Sequence, residues 1–309
     1  MEASSRSRTK TTFLHSSAKL YRGRTLFEPL SSPCRNKPVN ATIDSEKYSM
    51  SFPCRLAFAI LTCLLPVCAQ TMEAEQQALL EETRVAALNY ARSLPDFLCT
   101  QTVSRSEDIR SQNRWRLIDR LTIKLSYSGG TEDYKLTQIN GKPTNLSLME
   151  SGGAVSTGEF GSRMAAIFDA RTHTEFRWAG WSTLRKLRVA RFAYQVDGQH
   201  TGYLLEYGAP NDRDHKSTTA PYHGEILVDP DTHMVMRLTQ TAEVPKHFPI
   251  THNDCWVEYD YAGVAGKRYL LPSRAFTRMR SGVYTTENNI QFLDYRKFQT
   301  ETSISFDDK

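Results

Sequence analysis

The hydrophobic pattern of this 309-residue chain changes period at Pro95. Residues 72–94 are rich in Ala, Glu, Gln and Leu. Leu80, Ala87, Leu88, Ala91 and Leu94 fall on one side of a 3.6-residue period, which predicts a helix stopped by Pro95. Beyond it the period drops to two. In 115–127, Trp115, Leu117, Leu121, Ile123, Leu125 and Tyr127 share one face, and Arg116, Arg120, Thr122, Lys124 and Ser126 share the other. Ile118 and Asp119 are the two exceptions. Such alternation predicts an antiparallel strand with one solvated side. Gly129-Gly130 turns the chain into a strand at 133–139, which Asn140-Gly141 ends. Further strands are predicted at 174–179, 184–196, 201–208, 223–229, 233–242, 253–261, 267–280 and 283–298. A second helix interrupts them: Ser156 and Glu159 have capping-box spacing, and Phe160, Met164, Ile167 and Phe168 follow at helical intervals.

Areas then decide the architecture. About ten strands at about 4.8 Å spacing make a sheet nearly 50 Å wide. Two helices about 10 Å across cover less than half of one face. A flat sheet would leave a large apolar strip in water, so the sheet is expected to curl. The predicted class is α+β, mainly antiparallel β: a curled sheet, or half-barrel, enclosing an N-terminal helix and an inserted helix. Its concave face is the candidate ligand surface. The expected lining is Trp115, Leu117, Leu121, Ile123 and Leu125, then Tyr134, Leu136, Phe192 and Tyr194, and finally Met234, Met236 and Leu238. Methionines suit a surface that accepts variable apolar shapes. Two outcomes stay open: a free apolar cavity, or one filled by Phe160, Met164, Ile167 and Phe168.

Charge alters the picture by its placement. The chain carries +5 overall, but residues 1–55 hold ten basic and four acidic residues, a net of +6. Residues 70–309 hold 29 basic and 30 acidic residues, a net of −1. The folding part is therefore neutral, which argues against electrostatic capture of nucleic acid. Residues 56–67 form a twelve-residue, mostly apolar run after Arg55. That is too short for a membrane-spanning helix, which needs about 20 residues, and has the length of a signal-peptide core. Residues 50–69 are read as a signal peptide cut between Ala69 and Gln70, giving a periplasmic or secreted chain. Residues 1–49 are read as a disordered extension or mis-annotated leader, with Met50 as the natural start. Residues 70–309 are read as a single half-barrel domain. A lipoprotein anchor at Cys63 or Cys68 competes, but Thr62 and Val67 are poor residues for that site. The mature chain keeps Cys99 and Cys255. In an oxidising compartment these are either a disulfide or two unpaired buried thiols.

The search for chemistry is mostly negative. The Gly-rich stretch 152–161 lacks the Gly-Lys-Ser/Thr ending of a phosphate loop and reads as a run into a helix cap. No Gly-x-Ser-x-Gly elbow, His-Glu-x-x-His or paired CxxC occurs. His200, His215, His223, His233, His247 and His252 have no ligand spacing among themselves. No catalytic residue, metal site or cofactor is assigned. The basic run Arg185–Arg191 reads as a solvated strand face.

The order of elements resembles the lipoprotein-carrier fold of the LolA and LolB carriers and the lipid-sensing domain of RseB. Gly224–Thr239 (Gly-Glu-Ile-Leu-Val-Asp-Pro-Asp-Thr-His-Met-Val-Met-Arg-Leu-Thr) is similar to that family's recurrent hairpin. A wider pattern resembles uncharacterised secreted proteins of acidobacterial type. It is carried by Leu94-Pro-Asp-Phe-Leu-Cys-Thr-Gln, Glu132-Asp-Tyr-Lys-Leu, Asn140-Gly-Lys-Pro, Ser156-Thr-Gly-Glu-Phe-Gly and Tyr269-Leu-Leu-Pro. The carrier resemblance implies a non-catalytic binding protein that holds a lipid or lipoprotein acyl chain in the concave face, with transient membrane contact. The alternative is an interaction or sensor module that docks another envelope protein and has a filled interior.

Overall fold

In the computed structural model, which describes residues 17–21, 73–110, 112–209 and 212–298, the first sequence period becomes α1 (Ala74–Ser93). Glu73 caps it reciprocally with Gln76, its backbone N–H donating to Gln76 Oε1 at 3.2 Å. Pro95 lies just beyond its end. The buried side of α1 is Leu80, Thr83, Ala87 and Tyr90, while Leu88, Ala91 and Leu94 are half-buried. Tyr90 lies on that side because its hydroxyl donates to the carbonyl of Leu270 at 2.9 Å.

The strands are β1 (Ser17–Tyr21), β2 (Phe97–Ile109), β3 (Arg116–Ser128), β4 (Thr131–Ile139), β5 (Lys142–Pro143), β6 (Gly153–Thr157), β7 (Glu175–Leu184) and β8 (Leu187–Val196), followed by β9 (Leu204–Tyr207), β10 (Lys216–Thr219), β11 (Tyr222–Val228), β12 (Val235–Ala242), β13 (His252–Val264), β14 (Lys267–Ser281) and β15 (Tyr284–Lys297). Eleven of them form one curled, unclosed sheet in the order β5-β4-β3-β2-β15-β14-β13-β12-β11-β8-β7, every pair antiparallel. Short hairpins carry the alternation from strand to strand. Arg185 and Lys186, with φ of 48° and 71°, make the turn between β7 and β8. Ala265-Gly266 does the same between β13 and β14 with φ of 51° and 78°. The basic run therefore begins in a turn: Arg185 pairs with Asp260 at 2.9 Å, and the Arg188 guanidinium lies 3.8 Å from the centre of the Trp181 ring.

A second sheet, in the order β10-β9-β1-β6, holds four short strands. It includes Ser17–Tyr21, five residues inside the stretch expected to be disordered or mis-annotated. The signal-peptide segment 50–69 and the remainder of the leader lie outside the described residues.

The inserted helix, α2 (Ser162–Phe168), starts later than the capping-box spacing predicts. Ser156 belongs to β6, and its hydroxyl donates to Glu159 Oε1 at 2.6 Å, so the pair is a buried side-chain contact and caps no helix. The helix opens instead at Gly161, whose φ is 114°. A Cβ at Gly161 would lie 2.9 Å from Tyr90 Cδ1 and 3.0 Å from Ala91 Cβ. Glycine is thus required both by the backbone and by the close approach of α2 to α1.

Candidate functional site on the concave face

The alternation along β3 is carried inward by Leu121, Ile123, Leu125 and Tyr127, all buried. Cross-strand neighbours extend this surface: Ile123 faces Leu136 and Leu125 faces Tyr134 across β3 and β4. On the other arm, Phe192 of β8, Ile226 of β11 and Leu238 of β12 form one buried row. Met236 is buried, and Met234 is half-buried just before β12. Tyr194 is buried and donates through its hydroxyl to the carbonyl of Thr239 at 2.7 Å. Ten of the twelve expected lining residues are thus brought into the core.

Trp115 and Leu117 are not, and the cause is one extra residue. Arg105 pairs with Asp119 but Ser106 pairs with Leu117, so Ile118 is bulged out of the ladder. The bulge reverses the faces beyond it. Asp119, before the bulge, keeps the inward face of Leu121 and binds Arg105, while Leu117 and Trp115 beyond it are 49% and 38% exposed. Trp115 joins a ladder of arginines and aromatic rings instead. Arg278 lies 5.8 Å from its ring centre and 5.5 Å from that of Phe276, which stacks on Trp256, and Arg237 covers Trp256 at 4.9 Å. The two sequence exceptions, Ile118 and Asp119, were the signal of this change of face.

The concavity is filled. Phe160, Met164, Ile167 and Phe168 are completely or almost completely buried. Phe160 packs among Phe97, Phe292, Tyr127 and Tyr295 with ring centres 5.3–6.5 Å apart. Phe168 stacks on Phe176 at 5.2 Å. Beside Ile123, Tyr134, Val103, Ala154 and Ile290, the residual cavity is about 20 Å³. That volume holds about one water molecule.

Polar groups inside the concavity tie the inserted segment to the sheet. Arg163 is buried and donates to the carbonyl of Thr157 at 2.9 Å, to Ser156 Oγ at 3.3 Å and to Cys255 Sγ. Tyr259 donates to the carbonyl of Glu159 at 3.0 Å. Tyr134 hydrogen-bonds Glu132, which accepts from the backbone N–H of Phe160 at 3.3 Å. Burial, reinforced by the nearby Glu159 carboxylate, pushes Glu132 up to about 7. Arg105 pairs with Asp119 and donates to the carbonyls of Gly152 and Ser151, anchoring the approach to β6. Sequence reasoning missed this network because its ties to the sheet, Arg163 to Cys255, Tyr259 to Glu159 and Glu132 to Phe160, join residues far apart along the chain.

The cysteines do not meet. Cys99 is on β2 and Cys255 on β13, three strands away across β15 and β14. At about 4.8 Å per strand that alone is about 14 Å, beyond disulfide reach. Along the strands they are further apart: Cys255 is level with Thr277, Asn288 and Arg105, six residues beyond Cys99. Both are free and buried. Burial pushes the Cys99 thiol up to about 12 and also raises that of Cys255, which disfavours the thiolate at both.

Among the described residues, no group of three or more His, Cys, Asp or Glu side chains is arranged to hold a metal ion. The histidines make local pairs, such as His252 with Asp254 at 2.6 Å and His233 with Glu82 at 2.8 Å. No described helix is long and apolar enough to cross a membrane.

No protein-family model and no curated protein matches the sequence. Among solved structures, the chain is similar to a LolA superfamily protein from Nitrosomonas europaea, at 9% identity and a TM-score of 0.29, over 72% of this chain and 94% of that one. It is similar to a DUF1329 family protein from Desulfovibrio piger at 7% identity and a TM-score of 0.35, over 74% and 94%. It is also similar to the Mycobacterium tuberculosis lipoprotein LppX at 9% identity and a TM-score of 0.25, over 72% and 98%.

Proposed function

We propose that this chain is a non-catalytic binding protein of the cell envelope that works by docking another envelope protein, with its interior occupied by its own side chains. The observation that carries the reading is the burial of Phe160, Met164, Ile167 and Phe168 in the concavity, with about 20 Å³ left beside Ile123 and Tyr134. Pockets for small ligands occupy roughly 300–1,000 Å³. Making such room means withdrawing Phe160, Met164, Ile167 and Phe168. Exposing four buried apolar side chains costs about 6–12 kcal/mol, comparable with the whole stability of a domain. Envelope residence rests on the signal-like segment 50–69.

The surface offers backbone for docking. Ten-residue β7 ends the large sheet and has no strand on its outer side among the described residues. It contains no proline, the usual means of blunting an edge. The second reading, an acyl chain in the concavity, keeps one point in its favour: Leu136, Met236 and the other inward residues, with Tyr134 packed against them, belong to one apolar cluster with the α2 side chains. Ile123→Ala and Met236→Ala separate the two. Docking predicts a loss of about 2–4 kcal/mol in urea unfolding for each, typical of truncating a buried chain, and no saturable binding of a dansyl-labelled fatty acid by the parent or either variant. Saturable uptake by the parent chain, reduced by either substitution at unchanged fold, would favour the carrier reading.

A further inference from the structure

The second sheet is held together by a strand from the leader. β6 and β9 do not pair with each other; β1 lies between them, antiparallel to β6 from Ser17 opposite Thr157 to Tyr21 opposite Gly153. It runs parallel to β9 from Ser17 beside Leu204 to Leu20 beside Tyr207. β1 precedes the apolar run 56–67, so a cut at Ala69-Gln70 separates it from the rest of the chain. β6 and β9 remain.

Both walls of that slot are anchored from behind by residues of the remaining chain. Asn288 donates to the carbonyl of Ala154 at 2.7 Å and Arg163 to that of Thr157 at 2.9 Å, holding β6. Tyr203 donates to Asn253 at 2.7 Å and β10 pairs with β9, holding the other wall. Without β1 the walls stand two strand spacings apart, about 9.6 Å, with facing rows of backbone N–H and C=O groups unpaired. A gap of that width and chemistry accepts one extended strand.

The walls also specify the residues of that strand. Ala154, Ser156 and Leu205 are buried on one face, so the register positions beside them suit small or apolar residues. On the other face is Glu206, whose side chain is only 12% exposed and whose carboxylate meets Lys19 Nζ at 2.6 Å. Among the described residues, the His215 ring also lies near it, at 3.5 Å. Loss of Lys19 would leave this carboxylate without its ion-pair partner at the mouth of the slot.

Resting on the docking reading above, we propose that the groove between β6 and β9 is a strand-acceptor site. After leader removal it takes an extended peptide of a second envelope protein, with Lys or Arg opposite Glu206 and small or apolar residues on either side. In the uncut chain Ser17–Tyr21 occupies the site and keeps it closed.

The test uses the full chain with Leu20→Pro, which breaks backbone pairing inside β1 and alters nothing in β6 or β9. The probe is a fluorescein-labelled peptide of residues 14–24, followed by anisotropy. The opened chain should bind it saturably and the parent at least tenfold more weakly. A peptide carrying Lys19→Glu should bind the opened chain at least tenfold more weakly than the parent peptide, and Glu206→Gln in the chain should narrow that difference. Bound peptide should slow amide exchange at 153–157 and 204–207. Equal binding by parent and opened chains, indifference to the peptide's charge, or no binding by a folded Leu20→Pro chain would overturn the proposal. Unfolding of that variant would overturn it too, by making β1 an integral part of the fold. None of these results touches the fatty-acid measurement, so the docking reading can survive the loss of this site.

Discussion

Single residues decide which face of this sheet meets water, and one of them sets a pH dependence. Glu132 is held at about 7 by burial and by Glu159, against about 4.5 in an unfolded chain. Between these values the native state keeps a proton that the unfolded state has released. Stability contributed by protonated Glu132 is therefore fully present below about pH 4.5 and falls as pH rises toward 7, by about 3 kcal/mol if Glu132 acts alone. Urea unfolding of the parent and of Glu132→Gln from pH 4.5 to 7.5 checks this: the parent should lose stability across the window relative to the variant. Parallel profiles would show that Glu132 titrates normally. The sequence had less to say at this scale. Ile118 stood out as a break in alternation, but its effect on Leu117 and Trp115 depended on the pairing of β2 with β3. The free state of Cys99 and Cys255 depended on strand order, which alternation does not encode.

Elements were more legible, because a period of two or 3.6 is a local property. Helix α1 and most strands of the large sheet lie near their predicted bounds. The exceptions are informative. Ser156 and Glu159 have the spacing of a helix cap, yet β6 claims Ser156 because its backbone is paired in the second sheet. The signal for the true start of α2 was Gly161. Gly161→Ala should destabilise the chain by about 1–3 kcal/mol, through the left-handed backbone and the contact with Tyr90. Urea unfolding should show a lower midpoint at an unchanged slope. An unchanged midpoint would mean that α1 and α2 do not approach as described. The short strand β1 had no hydrophobic period to announce it; five residues gain a strand conformation here from their two neighbours.

At the scale of the whole molecule, the half-barrel followed from areas: ten predicted strands and two helices could bury their apolar faces only if the sheet curled. The occupancy of its interior did not follow. Periodicity points a side chain inward but does not say what meets it there. The answer lay in the depth to which Phe160, Met164, Ile167 and Phe168 reach, and in the polar ties from Arg163, Glu132 and Tyr259 that hold their segment in place. The most direct test of a self-filled interior is the native mass of the protein recovered from a cell-envelope fraction without delipidation. The expected mass is that of the polypeptide alone, with no acyl-bearing adduct above the level of an unrelated protein from the same fraction. A stoichiometric lipid adduct that survives gentle activation and leaves only on unfolding would contradict it.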